Sequence, residues 1–409
     1  MERLLQIDLI RENILSYCTF KNKLGLSLVN HTFRDIIYKY TTSCELINDN
    51  WFTAINNYYK NAIRDLLNLN KIKLQRFLIN SDIIFPSTLQ EAVINFNIIN
   101  SSNLSLLPID LIKLNISFCI LSDWSFLPTL INLKELNASY NELNSPNLEL
   151  PVSLIKLNIS SCILSDWPFL PTLINLKELD VSYNELNSFN LSLPANLIKL
   201  NISSCNLSNW SFLPMLVNLK ELDISYNILT SFNLALLPIN LIKLNMAACH
   251  LEDCLSLPKL INLRELDISS NISNLFNLSL LPISLIKLNI SSCSLSDLSF
   301  LPTLINLKEL DVSYNELNSF NLSLPVNLIK LNVSSCSLLN WSFLPMLINL
   351  KELNISYNIL TSFNLALLPI GLIELNISHC NLTDGSFLEL LINLKVLDIS
   401  GNNLPRVIK

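Results

Sequence analysis

Leu111-IKLNISFCI-Leu121, Leu176-KELDVSYNE-Leu186 and Leu394-KVLDISGNN-Leu404 are copies of one phrase. As a template, L-x-x-L-x-[IVLAM]-x-x-[NC]-x-[LI], the phrase recurs fifteen times between Leu89 and Leu404, at a step of 21 or 22 residues. In Leu114-Asn115-Ile116-Ser117 the apolar and polar residues alternate with the period of a β-strand, Leu114 and Ile116 inward, Asn115 and Ser117 outward. One such unit cannot bury its apolar side alone. Stacking neighbours buries a continuous core, so a fixed period of this length predicts a solenoid. With strands roughly 4.8 Å apart, fifteen rungs give a parallel sheet about 70 Å long along its arc.

The spacing of the phrase resembles that of leucine-rich repeat proteins. The expected fold is an α/β solenoid: a leucine-rich repeat arc with a parallel concave sheet over residues 89–409, preceded by a small α-helical domain. At the turn that follows each strand, Asn141, Asn184, Asn227, Asn271, Asn315, Asn358 and Asn402 can offer side-chain amides to the bend. Cys119, Cys162, Cys205, Cys249, Cys293, Cys336 and Cys380 take that place in alternate units, so the true period is a pair of repeats. Behind the turn runs a phenylalanine stack that includes Phe126, Phe169, Phe212, Phe300 and Phe343, and Trp124, Trp167, Trp210 and Trp341 are expected to pack nearby. Prolines follow shortly, as in Leu127-Pro128, and favour extended or turn backbone over long helices. The block that begins at Ser188 recurs almost unchanged from Ser319, 131 residues later, as if several repeats had been copied together.

The chain has 409 residues, 50% of them hydrophobic and 15% charged, with a net charge of −6. That balance provides a large core and no dense basic patch of the kind nucleic acid requires, so no nucleic-acid partner is expected. No apolar run reaches the ~18 residues of a membrane span, and no membrane association is expected. The first residues, MERLLQIDLIREN, carry charges throughout and lack the apolar core of a signal peptide. Seven of the ten cysteines lie two rungs apart in the turn ladder. That is roughly 10 Å between neighbours, beyond the ~7 Å reach of a disulfide. Free thiols in an intracellular, reducing compartment, cytoplasm or nucleus, are the expectation.

Residues 1–88 have a different texture. Leu5, Leu9, Ile10, Ile14 and Leu15 fall at helical spacing, and residues 51–80 read as a further amphipathic helix. The expected order is a helical segment over 1–40, a helical linker and cap over 41–88, then the repeats. Asn13–Cys18 (NILSYC) followed by Phe20–Ile37 (FKNKLGLSLVNHTFRDII) resembles an F-box, with Val29, Phe33, Arg34 and Ile36 matching its end. Ile7, Arg11 and Cys18 depart from it, standing where that family has a Leu-Pro pair or leucines. The resemblance implies a Skp-family adaptor as partner, bound through Ile10, Ile14, Leu15, Val29 and Ile36, and a repeat domain that captures the substrate of a cullin–RING ubiquitin ligase. The phrase SFN-x-x-LP-x-L is also similar to the FNIP-type repeats of amoebae and giant viruses.

Three outward columns are candidates for partner contact. Lys113, Glu135, Lys156, Glu178, Lys199, Glu221 and their successors alternate in sign, which reads either as a charged binding face or as a self-neutralised ladder that sets strand register; the ladder is the stronger reading. Asn115, Asp180, Asp223, Asp267 and Asp311 line the centre of the sheet. Tyr183, Tyr226, Tyr314 and Tyr357 stand at the strand exit, as binding aromatics or as rings packed over the small residue of the next unit. One unit breaks the template: in 246–273, Met246-Ala247-Ala248 replaces I-S-S, as a contact site or as drift. Enzyme chemistry has little footing. Four glycines leave no phosphate-cradling loop, the three histidines are scattered, and Cys249-His250-x-x-x-Cys254 has too few ligands for zinc. No enzyme, no cofactor and no metal are expected. A protein-interaction scaffold with a protein partner on the concave face is, either as a ligase substrate-recognition subunit or as a leucine-rich repeat binder without a ligase link.

Overall fold

A computed structural model of the chain describes residues 43–47, 53–54, 60, 63–66, 68–79, 83–99, 101–121, 123–143, 148–164, 167–185, 192–207, 209–229, 233–251, 257–271, 278–317, 322–338, 340–360 and 367–404. It divides into two compact units, residues 1–197 and 198–409.

The first unit is a parallel-strand solenoid. Its main sheet runs through β1 (Ser43–Ile47), β3 (Lys71–Gln75), β5 (Glu91–Val93), β7 (Lys113–Asn115), β8 (Glu135–Asn137), β9 (Lys156–Asn158) and β10 (Glu178–Asp180). A second wall, also parallel, is made by β2 (Thr53–Ala54), β4 (Phe77–Ile79) and β6 (Ile98–Ile99), and a single helical turn, α1, covers Ser101–Leu104. The second unit stacks ten strands: β11 (Lys199–Asn201), β12 (Glu221–Asp223), β13 (Lys243–Asn245), β14 (Glu265–Asp267), β15 (Lys287–Asn289), β16 (Glu309–Asp311), β17 (Lys330–Asn332), β18 (Glu352–Asn354), β19 (Glu374–Asn376) and β20 (Val396–Asp398). Each pairs in register with the next, Glu221 opposite Lys243 and Lys243 opposite Glu265.

The fifteen repeats of the sequence supply the fifteen strands β5 and β7–β20, with β6 beside them in the second wall. The solenoid begins earlier than the template suggested, because β1 and β3 add two rungs. The helical reading of residues 51–80 does not hold across that span: helix is present at 63–65, while 71–75 and 77–79 are strands. The reason is visible in Lys71-Ile72-Lys73-Leu74-Gln75. Ile72 and Leu74 are fully buried and their neighbours are not, which is a period of two. The remainder of residues 1–42, with every F-box position, lies outside the described residues.

The core is a column of leucines. Leu219, Leu222 and Ile224 of one rung are buried directly beneath Leu241, Leu244 and Met246 of the next. Each such side chain contributes about 1.5–3 kcal/mol through removal from water. The chain then leaves through single 3-10 turns such as Leu213–Met215, Leu301–Thr303 and Leu344–Met346, each with a proline in its first turn. Proline is tolerated there because its missing N–H would have had no partner. Trp124, Trp167, Trp210 and Trp341 pack against these turns, all nearly inaccessible, as expected.

The bends after the strands are closed by one buried amide per pair of rungs. Asn271, with no exposed surface, accepts the N–H groups of Cys249 (2.9 Å) and Leu251 (3.2 Å) of the preceding rung. Its Nδ2 donates to the carbonyls of Met246 and Ile268, both at 2.8 Å. In the alternate units a thiol takes over the donor role: Cys249 Sγ lies 3.2 Å from Ile224 O and 3.4 Å from Ala247 O. The irregular unit that begins at Met246 therefore keeps the ladder intact.

Replacing Asn271 with alanine orphans two buried N–H groups and two carbonyls. At 1–3 kcal/mol for an unsatisfied buried group, Asn271→Ala is expected to cost about 3 kcal/mol or more in urea unfolding. The partly exposed Asn240, whose Nδ2 reaches Val217 O at 3.0 Å, is the control: Asn240→Ala is expected to cost less than about 1 kcal/mol.

Candidate partner-binding face

Strand alternation turns three residues of each rung outward, and register places like positions side by side. The charged column pairs as the ladder reading requires. Lys113 reaches Glu135 at 3.0 Å and Lys156 reaches Glu178 at 3.1 Å in the first unit. Lys199–Glu221, Lys243–Glu265, Lys287–Glu309 and Lys330–Glu352 follow at 2.7–3.1 Å in the second. Lys71–Glu91 at 2.7 Å extends the pattern into the early rungs. The hydrogen bond to Glu178 is the main reason the Lys156 ammonium is held above its ordinary range. These pairs are half-exposed, so each contributes at most about 1 kcal/mol. Their larger effect is on register, since a slip of one rung would set like charges opposite. At the C-terminal end the alternation stops: Glu374 lies opposite Glu352, and Val396 opposite Glu374.

The central column is half-buried and engaged internally. Asn115 Oδ1 accepts from the backbone and hydroxyl of Ser117, and Asp180 Oδ1 does the same with Ser182. Asp223, Asp267 and Asp311 bind Ser225, Ser269 and Ser313 hydroxyls at 2.6 Å through one oxygen. Through the other they accept the amides of Asn245, Asn289 and Asn332 of the next rung at 2.8–2.9 Å. These carboxylates thus form a fixed acidic line, with remaining lone pairs open to a partner's donors.

At the strand exit the backbone turns left-handed in every rung of the main sheet from β3 to β20. Tyr140, Tyr183, Tyr226, Tyr314 and Tyr357 all have φ between 55° and 57°, and Phe96, Phe118, Ser270 and His379 share the conformation. A side chain in this region is strained, and the turn is held by bonds such as Tyr226 N to Ala247 O at 2.8 Å. The conformation throws the ring outward. Tyr183, Tyr226 and Tyr314 expose 62–64% of their surface. Where the neighbour is aromatic the rings stack instead: Phe96 on Phe118 (4.6 Å), Phe118 on Tyr140 (4.0 Å), and Tyr357 on His379 (4.5 Å). Gly401, at φ 68°, lies directly beneath the His379 imidazole, and a Cβ there would come within 2.4 Å of the ring. The structure thus brings Asp223, Asp267 and Asp311 together with Tyr226, Tyr314 and Tyr357 on one face of the second unit. Asn115, Asp180 and Tyr183 stand on the equivalent face of the first. The adaptor positions Ile10, Ile14, Leu15, Val29 and Ile36 lie outside the described residues.

One column escaped the sequence reading. At the strand entry a branched aliphatic side chain is exposed in rung after rung, Ile131 and Ile174 in the first unit and Ile261, Ile305 and Ile348 in the second. The signal was present in the recurring L-[IV]-N-L, but it reads as part of the leucine pattern until burial separates the two.

Among the described residues all eight cysteines are buried and none is in a disulfide. Burial pushes the Cys119 thiol up to about 12, and the Cys162, Cys249 and Cys336 thiols up to about 11, from an ordinary 9.0.

Comparison of the sequence with known protein families finds no match, and comparison with curated proteins finds none. Solved structures do match in fold. The internalin InlF of Listeria monocytogenes superposes with a TM-score of 0.54 at 21% identity, over 89% of this chain and 88% of that one. YopM of Yersinia enterocolitica gives 0.55 at 25%, over 91% and 90%. TLR13, solved in complex with ssRNA13, gives 0.60 at 19%, over 87% of this chain and 61% of its own. These neighbours are leucine-rich repeat proteins, and the fold of the described chain is that of a leucine-rich repeat solenoid.

The thiols yield a test of the ladder. Because the folded chain keeps protons that an unfolded chain gives up near pH 9, stability present below pH 9 is expected to be lost as pH rises toward 11. Denaturant titrations from pH 7 to 10.5 should show this fall, and Cys249→Ser and Cys336→Ser together should make it shallower. Under native conditions at pH 7.5 the ladder cysteines should react with a thiol reagent only as fast as the chain opens; rapid labelling without unfolding contradicts their burial.

Proposed function

We propose that the chain is a protein-interaction scaffold that binds an extended protein surface along its strand face. The observation that carries the reading is the face itself: a zipped ion-pair ladder, a fixed line of carboxylates and a row of exposed tyrosines, all recurring on the period of two rungs. Tyrosine offers a large, stiff contact area with a polar tip, and such residues dominate interface energetics. A donor-rich partner suits the acidic line. A single-stranded nucleic acid, which is what TLR13 holds in its solved complex, suits it less, because the tyrosines here stand beside carboxylates that repel phosphates. This is a reading as a binding protein, with no catalytic group assigned.

The finer proposal is that residues 1–40 dock a Skp-family adaptor through Ile10, Ile14, Leu15, Val29 and Ile36, and that the repeats present substrate to a cullin–RING ligase inside the cell. It is supported by the F-box-like NILSYC and VNHTFRDII segments ahead of a repeat domain. Titration calorimetry of the full chain with purified adaptor tests it. Binding with a Kd below about 10 μM, lost in Ile14→Asp and Val29→Asp, is the expected result, and silence at tens of micromolar leaves the scaffold without a ligase link. For the face, Tyr183→Ala with Tyr226→Ala is expected to weaken a captured protein partner by about 1–3 kcal/mol. A hydrogen-exchange footprint confined to the 3-10 turns would show that the face was wrongly chosen.

A further inference from the structure

Nine consecutive rungs of the second unit, β12 to β20, enter their strands through an exposed branched aliphatic residue, from Val217 to Ile392. Ile261, Ile348 and Ile392 expose 73%, 75% and 85% of their surface. Spaced one per rung, they form a ridge about 38 Å long. Met215 and Met346, 71% and 64% exposed, broaden it. A contiguous apolar strip of this kind on a soluble surface marks an interaction site. The repeat does not require it, since the position faces solvent and Ala195 fills it once without consequence for the leucine pattern.

The charge beside the ridge is cationic, apart from Glu389 in the segment that leads into β20. Three residues on, in alternate rungs, stand Lys220, Arg264, Lys308, Lys351 and Lys395. None of the five forms an ion pair among the described residues; Arg264 and Lys351 reach only the backbone carbonyls of Ser284 and Gly371. The adjacent Glu221, Glu265, Glu309 and Glu352 are already taken by the lysines of the preceding rungs. From Pro214 to Ile373 the rim segments that lead into the strands include Lys259 and no carboxylate. In a chain of net charge −6, this edge is locally cationic.

We infer that this rim is a membrane-contact edge: the aliphatic ridge enters the interfacial layer of an anionic lipid surface, and the row of cations beside it sits on the headgroup charge. Protruding side chains in single file suit a planar, yielding medium, whereas a folded protein would need a groove to receive them. Aliphatic insertion backed by cations is the physics of peripheral membrane binding. Among the described residues no helix is long and apolar enough to cross a membrane, so the chain would lie on the surface. The expectation of no membrane association rests on the lack of a continuous apolar run, and a ridge that contributes one residue per repeat forms no such run.

Co-sedimentation of the full chain with vesicles is the test, using phosphatidylcholine alone and phosphatidylcholine with about 30 mol % phosphatidylserine. Binding to the anionic vesicles at least about tenfold tighter, and falling as salt is raised, is expected. The triple variant Ile261→Thr, Ile305→Thr, Ile348→Thr should lose about tenfold in affinity with an unchanged melting temperature. Independently, Lys220→Gln, Lys308→Gln, Lys395→Gln should remove the preference for phosphatidylserine. No binding to either vesicle, undiminished binding by both variants, or capture of a polyglutamate peptide that vesicles fail to displace would overturn the assignment.

Discussion

The buried turn amide is the interaction on which the rest depends. A chain that reverses direction every few residues leaves backbone donors and acceptors inside the bend, and each costs free energy if unpaired. One asparagine per pair of rungs satisfies them: Asn227 Oδ1 takes Cys205 N at 3.1 Å, and its Nδ2 reaches Ile202 O and Ile224 O at 3.0 and 2.9 Å. The bonds to Cys205 and Ile202 run to the preceding rung, so the ladder that closes the bends also stacks them. The leucine column supplies the larger energy, but leucines alone would permit many registers. The amides, and outside them the Lys–Glu pairs, admit one.

Cysteine in the alternate turns is a lesser substitute for asparagine. A thiol is a weak donor and offers no carbonyl oxygen to accept the N–H groups of the rung before it. The consequence is visible in the backbone. Cys-type units carry a second left-handed residue just past the thiol, Ile120, Ile163, Asn206, His250, Ser294, Ser337 and Asn381, at φ between 50° and 58°, whereas among the described residues the Asn-type units do not. Ile120 and Ile163 are β-branched, for which this conformation is costly. The ladder therefore alternates between a fully bonded rung and a strained one, and the strained rung is held by the asparagine that follows it.

Most of the solenoid was legible because its signal is redundant. The strand Lys287–Asn289 could be read from any of fourteen other copies, and the register of its charges from simple alternation. The early rungs were harder. Lys71–Gln75 follows a leucine at the template's first position, Leu69, but carries Ile72 in place of the second leucine and is followed by Phe77 where the template has Asn or Cys, so only the buried alternation of Ile72 and Leu74 reveals a strand. For the site the redundancy works in reverse. The tyrosines and carboxylates recur because the template recurs, so repetition itself does not separate a residue that binds from one that merely fits. Burial and hydrogen bonding make that separation: Trp124 and Asn271 are absorbed by the core, while Tyr226 and Ile348 are left in water.

The two exposed rows of the second unit stand at opposite ends of the same strands, and their charge environments are opposed. At the exit, Tyr226, Tyr314 and Tyr357 lie beside Asp223 and Asp311; at the entry, Ile239, Ile305 and Ile348 lie beside Lys220, Lys308 and Lys351. Between them the Lys–Glu ladder is neutral. A three-residue strand is only about 10 Å long, so each face carries a sharp transverse gradient, from cationic and aliphatic to acidic and aromatic. A ligand of uniform chemistry would match one side and be opposed by the other. On the two proposed assignments, a protein partner on the tyrosine side need not displace a lipid surface that covers the isoleucines.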